Sequence, residues 1–436
     1  GHKLNQTTFP NIKLFLPIYV WFFFSLFTLF IFEFGPLRYD VDNKFILYLY
    51  LFFAHLAIFL GYLTGVRKLR ILSLQKFNTY LINPRMLRFI TLIVFSSVLL
   101  EFYRDTLGDA NLDLALEDPM EGAEAFSSAR GGGLLGYMEA FLSVFTIPFF
   151  VIAIVNFKKI NKFTKFVFLL SAFRILYAAV LGSNRHGIMM LLIVIFFGTL
   201  AAIFSEELKI SLRRFILISL VSVMSFLAFS SYISIFRQTN AVTDIVEFMA
   251  QSDNYDFNYE SFLNPTFSGN LEILNAGIYT GYFYFTHSYE NLADALGLSF
   301  KGTTFLFGHS DFAIRNLERV FGSEVLDYSY HYRLINEGLH VSRHWITAYA
   351  WIASDTTFIG SIFLLFFFAS LFAQSWIRSI SMPSIASLAL LAWMSYFFFQ
   401  INITFVPADL SHFLGFWGTI LVFKFTLNRN QVVGKA

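Results

Sequence analysis

About ten apolar stretches of roughly 17–22 residues dominate this chain, each near the length needed to cross a hydrocarbon core of about 30 Å. They run Leu14–Phe34, Phe45–Gly65, Leu87–Tyr103, Leu134–Asn156, Phe166–Gly182, Gly187–Phe204, Phe215–Phe236, Thr356–Trp376, Ser384–Phe405 and Leu410–Leu427. Inside lipid every backbone amide needs a partner within the protein, and these stretches lack the alternation of barrel strands, so each is expected to be a helix. Hydrophobic residues make up 56% of the chain, a surface that a soluble domain could not keep wet without aggregating. The fold class expected is therefore all-α, a multi-pass integral membrane protein. The first stretch is too long for a signal-peptide core, and no small-residue cleavage site follows it, so it reads as retained.

Three parts follow from the spacing. Residues 1–236 form an N-terminal bundle of about seven spans, 237–355 a large polar loop, and 356–436 a C-terminal bundle of about three spans. Ala241–Gln251 and Asp311–Gly322 within the loop have amphipathic periodicity, suited to helices lying on the membrane surface or packing over the bundle.

Charge is distributed unevenly along the chain. Arg67, Lys68, Arg70, Lys76 and Arg85 lie between spans two and three, and Lys158, Lys159, Lys162 and Lys165 between four and five. Lys209, Arg213 and Arg214 lie between six and seven, and Arg378 follows span eight. The intervening loops are acidic or mixed. The positive-inside rule then puts both termini in the cytoplasm and the large loop outside. A net charge of +2 suggests no nucleic-acid partner. With no cysteine in the chain, disulfides, thiolate catalysis and cysteine metal sites are excluded.

Polar residues at the outer boundary are the functional candidates. Arg174 sits inside span five, where an ionisable group is costly; it either serves function or pairs with an acid such as Glu139 to hold the bundle. Arg185 lies in the turn Gly182-Ser183-Asn184-Arg185-His186-Gly187. If the helix of span five persists that far, Arg174 and Arg185 share a face about 16 Å apart. Arg237 closes span seven, and Arg343 and His344 precede span eight in His340-Val341-Ser342-Arg343-His344-Trp345. Arginines on the outer side oppose the usual orientation bias. A phosphate-bearing lipid headgroup, gripped by paired guanidinium hydrogen bonds, is one reason for them; bulk anionic phospholipid is another. His186, His287, Tyr289, Glu290 and Trp345 are further candidates for contact with a glycan, although loop aromatics suit an interfacial belt equally well. Asp409 and His412 stand one turn apart at the start of span ten, and His55 inside span two reads as a satisfied core residue. Asp40 and Asp42, just after span one, would suit a divalent cation on a lipid phosphate or a solvated turn. Gly131, Gly133 and Gly136 satisfy a dinucleotide-binding pattern but lack a preceding strand, and no phosphate-binding loop for ATP is present.

This layout resembles the Wzy-type O-antigen polymerases, which join oligosaccharide repeat units. The similarity rests on about ten spans, one dominant external loop late in the chain, and external arginines. Locally it rests on Gly182–Gly187, on Phe236-Arg237, and on Trp345–Gly360, which ends in Asp355 and Gly360. The resemblance implies a GT-C-like membrane glycosyltransferase of the bacterial inner membrane, active on its periplasmic face and needing no metal or other cofactor. The growing glycan would pass from undecaprenyl pyrophosphate to a new lipid-linked repeat unit. Its partners would be lipid-linked oligosaccharides, membrane lipid and a co-polymerase that regulates chain length. Arg174, Arg185, Arg237 and Arg343 would hold the pyrophosphate, with Arg185, Arg237 and Arg343 stabilising the leaving group and His344 as base, His186 and His287 in reserve. A ligase that moves glycan to a lipid A core, and a flippase or transporter of lipid-linked sugars, are the alternatives.

Overall fold

The structure, a computed structural model, describes residues 10–72, 83–105, 126, 133–182, 185–238, 255–258, 260–266, 268, 269, 273–337 and 346–433. It is a bundle of membrane-length helices. In chain order they are α1 (Pro10–Phe34), α2 (Lys44–Leu72), α3 (Pro84–Asp105), α4 (Leu134–Ser143), α5 (Thr146–Val155), α6 (Lys162–Leu181), α7 (Arg185–Phe204) and α8 (Leu212–Gln238). The large loop contributes α9 (Ile273–Gly297), α10 (Asp311–Phe321) and α11 (Tyr330–Asn336). The chain then closes with α12 (Ala348–Ser381), α13 (Ile385–Gln400) and α14 (Leu410–Val433).

Among the described residues, 8 helical segments are long and apolar enough to cross a membrane, and they coincide with the first eight expected spans. The ninth, α13, is helical but has only 16 residues, and the tenth is helical throughout as α14. Span four is interrupted, with α4 ending at Ser143 and α5 starting at Thr146. Span eight begins earlier than expected and breaks at Thr357, whose φ of 68° is costly for a β-branched residue. There the Thr357 hydroxyl accepts the Gly360 amide (3.1 Å) and starts a second helical segment.

Close packing sets the centre of the bundle. A Cβ at Gly61 would lie 2.1 Å from the Phe366 carbonyl oxygen, and one at Gly65 would lie 2.4 Å from that of Ser370. Glycines four apart thus let the α2 backbone touch the α12 backbone, the small-residue packing by which membrane helices gain dispersion energy without a hydrophobic drive. Trp21, Trp376 and Trp393 are fully buried in the bundle. The indoles of Trp21 and Trp376 donate to the Phe398 and Lys13 carbonyls (2.8 and 2.9 Å). By contrast α8 turns Leu217, Leu220, Val221 and Met224 outward, as a lipid-facing helix does.

One buried polar network crosses the core. Tyr349 donates to Asn402 Oδ1 (2.9 Å), and Asn402 Nδ2 donates to Ser25 Oγ (2.9 Å). Ser25 in turn contacts His55 Nε2 (2.7 Å), while His55 Nδ1 meets the Leu51 carbonyl (2.6 Å). A carbonyl can only accept, so Nδ1 carries the proton and Nε2 accepts from Ser25. Every link then has one donor and one acceptor, with His55 neutral. Tyr289 of α9 joins through Thr28 Oγ1 (2.8 Å), and Ser288 donates to the Asn402 carbonyl.

The large loop is strapped to the bundle. Leu37–Tyr39 (β1) pairs antiparallel with Tyr255–Phe257 (β2), in the register Leu37↔Phe257 and Tyr39↔Tyr255. Ser261 adds a hydrogen bond to the Phe34 carbonyl (2.8 Å). The 25-residue α9 packs on α8 and α1 and had no counterpart in the sequence reading. The expected helix at Asp311–Gly322 is present as α10, capped by Ser310; the one at Ala241–Gln251 lies outside the described residues.

Gly61→Ala should lower the unfolding temperature in detergent by several degrees, since overpacking against backbone costs about 1–3 kcal/mol. Gly281→Ala in α9, where a Cβ meets nothing, should not. Equal melting curves for the two variants would contradict the contact between α2 and α12.

Candidate functional site

Two clusters of polar side chains gather at the end of the bundle opposite the basic loops. The first is built where α7 and α14 start and α13 ends. Asp409 caps α14, its Oδ1 accepting the His412 amide (2.8 Å) and the Ser411 hydroxyl (2.9 Å). Its Oδ2 lies 2.7 Å from His412 Nδ1. A carboxylate held on Nδ1 fixes the imidazole tautomer and leaves Nε2 able to take a proton, the arrangement of a carboxylate-oriented general base. The His412 ring is 5.9 Å from that of Tyr396, whose hydroxyl is hydrogen-bonded to His186 Nε2.

A pocket of about 360 Å³ adjoins this cluster, lined by Asp311, Arg315, Asn316 and Arg319 of α10 together with Tyr137, Asp409 and Leu410. Its lining carries two arginines, Arg315 and Arg319, and two aspartates, Asp311 and Asp409. Arg315 is steadied by Asp311 Oδ1 (3.2 Å) and the Tyr332 hydroxyl (2.8 Å). Nearby on α11, burial pushes the His331 imidazole down to about 4, with Asp311 opposing and Arg315 reinforcing that shift, so it is neutral at physiological pH.

The second cluster is acidic. Asp40 and Asp42 follow β1, and Glu290 and Asp294 project from α9 toward them. Burial, then the neighbouring Asp294 and Asp40 carboxylates, push the Glu290 carboxyl up to about 8. Burial, Asp42 and Glu337 raise Asp294 as well. Glu290 is thus mostly protonated at neutral pH and exchanges its proton just above it, the range useful for proton transfer. Among the described residues no three His, Cys, Asp or Glu side chains are grouped so as to hold a metal ion.

A third group fastens the loop between α9 and α10. Asp355 accepts from the Thr304 amide (2.8 Å), the Thr304 hydroxyl (2.7 Å) and the His309 amide (3.1 Å), with His309 Nδ1 at 3.2 Å. Trp417 donates to His309 Nε2 (3.1 Å). A Cβ at Gly308 would sit 3.2 Å from the Asp355 carboxylate, so glycine is what lets the loop close on it. Asp355, singled out in the sequence by the motif it ends, here acts as a clamp.

Of the arginines expected to hold pyrophosphate, Arg174 is the one whose side chain lies among the described residues. Arg174 is buried and ion-paired through Nη2 with Asp105 (2.9 Å) and through Nε with Glu101 (3.5 Å), both on α3. The acid suggested for it, Glu139, pairs instead with Arg104. Helix α6 ends at Leu181 and Arg185 opens α7, so Arg174 and Arg185 do not share one helix face. Arg185 does directly precede His186, which reaches Tyr396. Arg237 falls in the last turn of α8. Arg343, His344 and Trp345 lie outside the described residues.

The remaining candidates are placed by α9. His287 is buried, its Nδ1 meeting the Phe283 carbonyl (2.8 Å) and its ring stacked on Phe283. Tyr289 is fully buried in the core network, so it supports α9 rather than facing a ligand. His55 is satisfied inside the core, as expected. Sequence reasoning paired Asp409 with His412 but missed Tyr396, which lies within an apolar run, and treated Arg315 and Arg319 only as the polar face of an amphipathic helix.

The raised Glu290 carboxyl makes a pH prediction. Its folded value exceeds the ordinary 4.5, so the native state holds the proton more tightly than the unfolded chain. Its contribution to stability is present below about 4.5 and is lost as pH rises to about 8. Glu290→Gln should therefore raise the melting temperature at pH 9 and leave it nearly unchanged at pH 4; an equal shift at both values would contradict a protonated Glu290. Compared with protein-family models, curated proteins and solved structures, the chain matches none.

Proposed function

We propose that this protein is a glycosyltransferase of the bacterial inner membrane that polymerises lipid-linked oligosaccharide repeat units on the periplasmic side. The observation that carries the reading is the Asp409–His412 pair beside the arginine-lined pocket, at the end of the bundle opposite the basic loops. The positive-inside rule makes that end periplasmic.

In the reaction an acceptor hydroxyl attacks the anomeric carbon, the carbon–oxygen bond to pyrophosphate breaks, and the hydroxyl proton needs an acceptor. His412, oriented by Asp409, takes that proton at Nε2. Negative charge gathers on the departing pyrophosphate, and guanidinium groups already in position stabilise it without reorganising. Arg315 and Arg319 of α10, which line the pocket, supply that charge, and Arg185, Arg237 and Arg343 remain the candidates that the sequence offers. His412 takes over the role that the sequence alone assigned to His344. Arg174, held by two carboxylates, is a strut of the bundle in this scheme.

His412→Gln should slow chain growth by about 10²–10⁴-fold, the usual range for loss of a general base, while Gly281→Ala, where a Cβ meets nothing, should leave the chemistry intact. The assay is polymer length on a gel, using purified protein with lipid-linked repeat units in vesicles. Activity should survive EDTA. In cells, deletion of a polymerase leaves single repeat units on lipid A core, whereas deletion of a ligase leaves none. A bare core would therefore replace this proposal with the ligase, and normal long chains would remove both.

A further inference from the structure

A second cavity lies at the other end of the bundle, among the basic loops. It measures about 660 Å³ and runs between α3, α5, α13 and α14. Ile90, Pro148 and Ile152 form an apolar floor, and the partly exposed Met86 and Val422 flank its opening toward lipid. Gly418 faces open space here, since a Cβ built on it meets nothing. Along α14 the lining extends from Leu414 to Thr426. That is about 18 Å of helix, close to the roughly 15 Å thickness of one hydrocarbon leaflet.

The polar lining is concentrated at the basic end. Arg378, in the last turn of α12, lines the cleft with Asn83 and Ser384, and no acidic residue among the described residues does so. Its guanidinium lies 5.6 Å from the Phe423 ring centroid, and its Nε is buried without a hydrogen-bond partner. Arg85 and Arg88, one turn apart at the exposed start of α3, add positive charge beside Asn83. A buried guanidinium donor with no acceptor is costly, and a lipid phosphate supplies the acceptor it lacks. Cationic recesses between membrane helices at the basic end are suited to anionic headgroups.

We propose that this cleft is a binding site for an anionic glycerophospholipid of the leaflet at the basic end, one acyl chain filling the groove and the phosphate gripped by Arg378. The site is separate from the pocket beneath α10 and does not depend on the glycosyltransferase reading. The length of the groove favours a single acyl chain that stops at mid-bilayer over a longer polyprenyl chain. The apolar floor favours a lipid over a free phosphate.

Native mass spectrometry of the full-length protein, released from detergent with dioleoyl phosphatidylglycerol or dioleoyl phosphatidylcholine, tests this. The wild type should retain one phosphatidylglycerol in preference to phosphatidylcholine by about five-fold, the value of one well-placed cation near a membrane surface. Arg378→Gln should abolish that preference. Gly418→Phe, which fills the groove and leaves Arg378 in place, should lose the bound lipid and the thermal stabilisation that phosphatidylglycerol confers. This second variant keeps the test decisive if Arg378→Gln does not fold. Equal retention by the wild type and Gly418→Phe would overturn the proposal. So would equal stabilisation by inorganic phosphate, displacement of the lipid by equimolar undecaprenyl phosphate, or a lipid-independent dimer that Gly418→Phe dissociates.

Discussion

Asn402 is the residue on which the central architecture depends. Its amide receives the Tyr349 proton and gives one to Ser25, and its carbonyl accepts from Ser288. Through those groups it joins α12, α1 and α9 at a depth where no water can substitute. An unsatisfied polar group there costs several kcal/mol, so the network holds only when complete. Its completeness sets the vertical alignment of the helices. Ala348 donates to the Ile401 carbonyl (3.0 Å), which docks the start of α12 on the end of α13. The polar groups at the end opposite the basic loops are carried on elements packed against this network.

The two clusters at that end differ chemically. The Asp409–His412 pair is local, a capping aspartate and a histidine in the first turn of one helix, so its geometry survives small movements elsewhere. The acidic cluster is assembled from distant segments, Asp40 and Asp42 from the turn after β1 and Glu290 and Asp294 from α9. Its proton affinity depends on how closely α9 sits against that turn. The ribbon of β1 and β2, together with the Tyr39–Thr286 hydrogen bond (2.8 Å), sets that spacing.

The helices were legible because a membrane span satisfies its own backbone hydrogen bonds. Its length and apolarity are properties of one contiguous stretch, with no partner to identify. For the same reason the sequence showed that Arg174 needed a reason, but not that Asp105 and Glu101 supply it, since that requires the register of α6 against α3. Helix α9 was missed because Thr, Asn, His and Tyr interrupt its apolar residues; those polar groups face a protein interior with polar partners waiting for them. Tyr396 was invisible within an apolar run. The Asp409–His412 pair was legible because its two members are neighbours on one helical turn, whereas the roof that α10 makes over it is a tertiary fact.

The glycine contact between α2 and α12 has a mechanical consequence. Two backbones in direct touch, interlocked at Gly61 and Gly65, resist both sliding and separation. They therefore form a fixed spine, and any gating displacement must be borne by the helices packed less deeply around it. Helix α8, whose described apolar side chains mostly face outward, is held less deeply than α9, which Tyr289 and Ser288 pin to the core. Access from the lipid to the polar end of the bundle would then open by tilting α8 against a stationary axle.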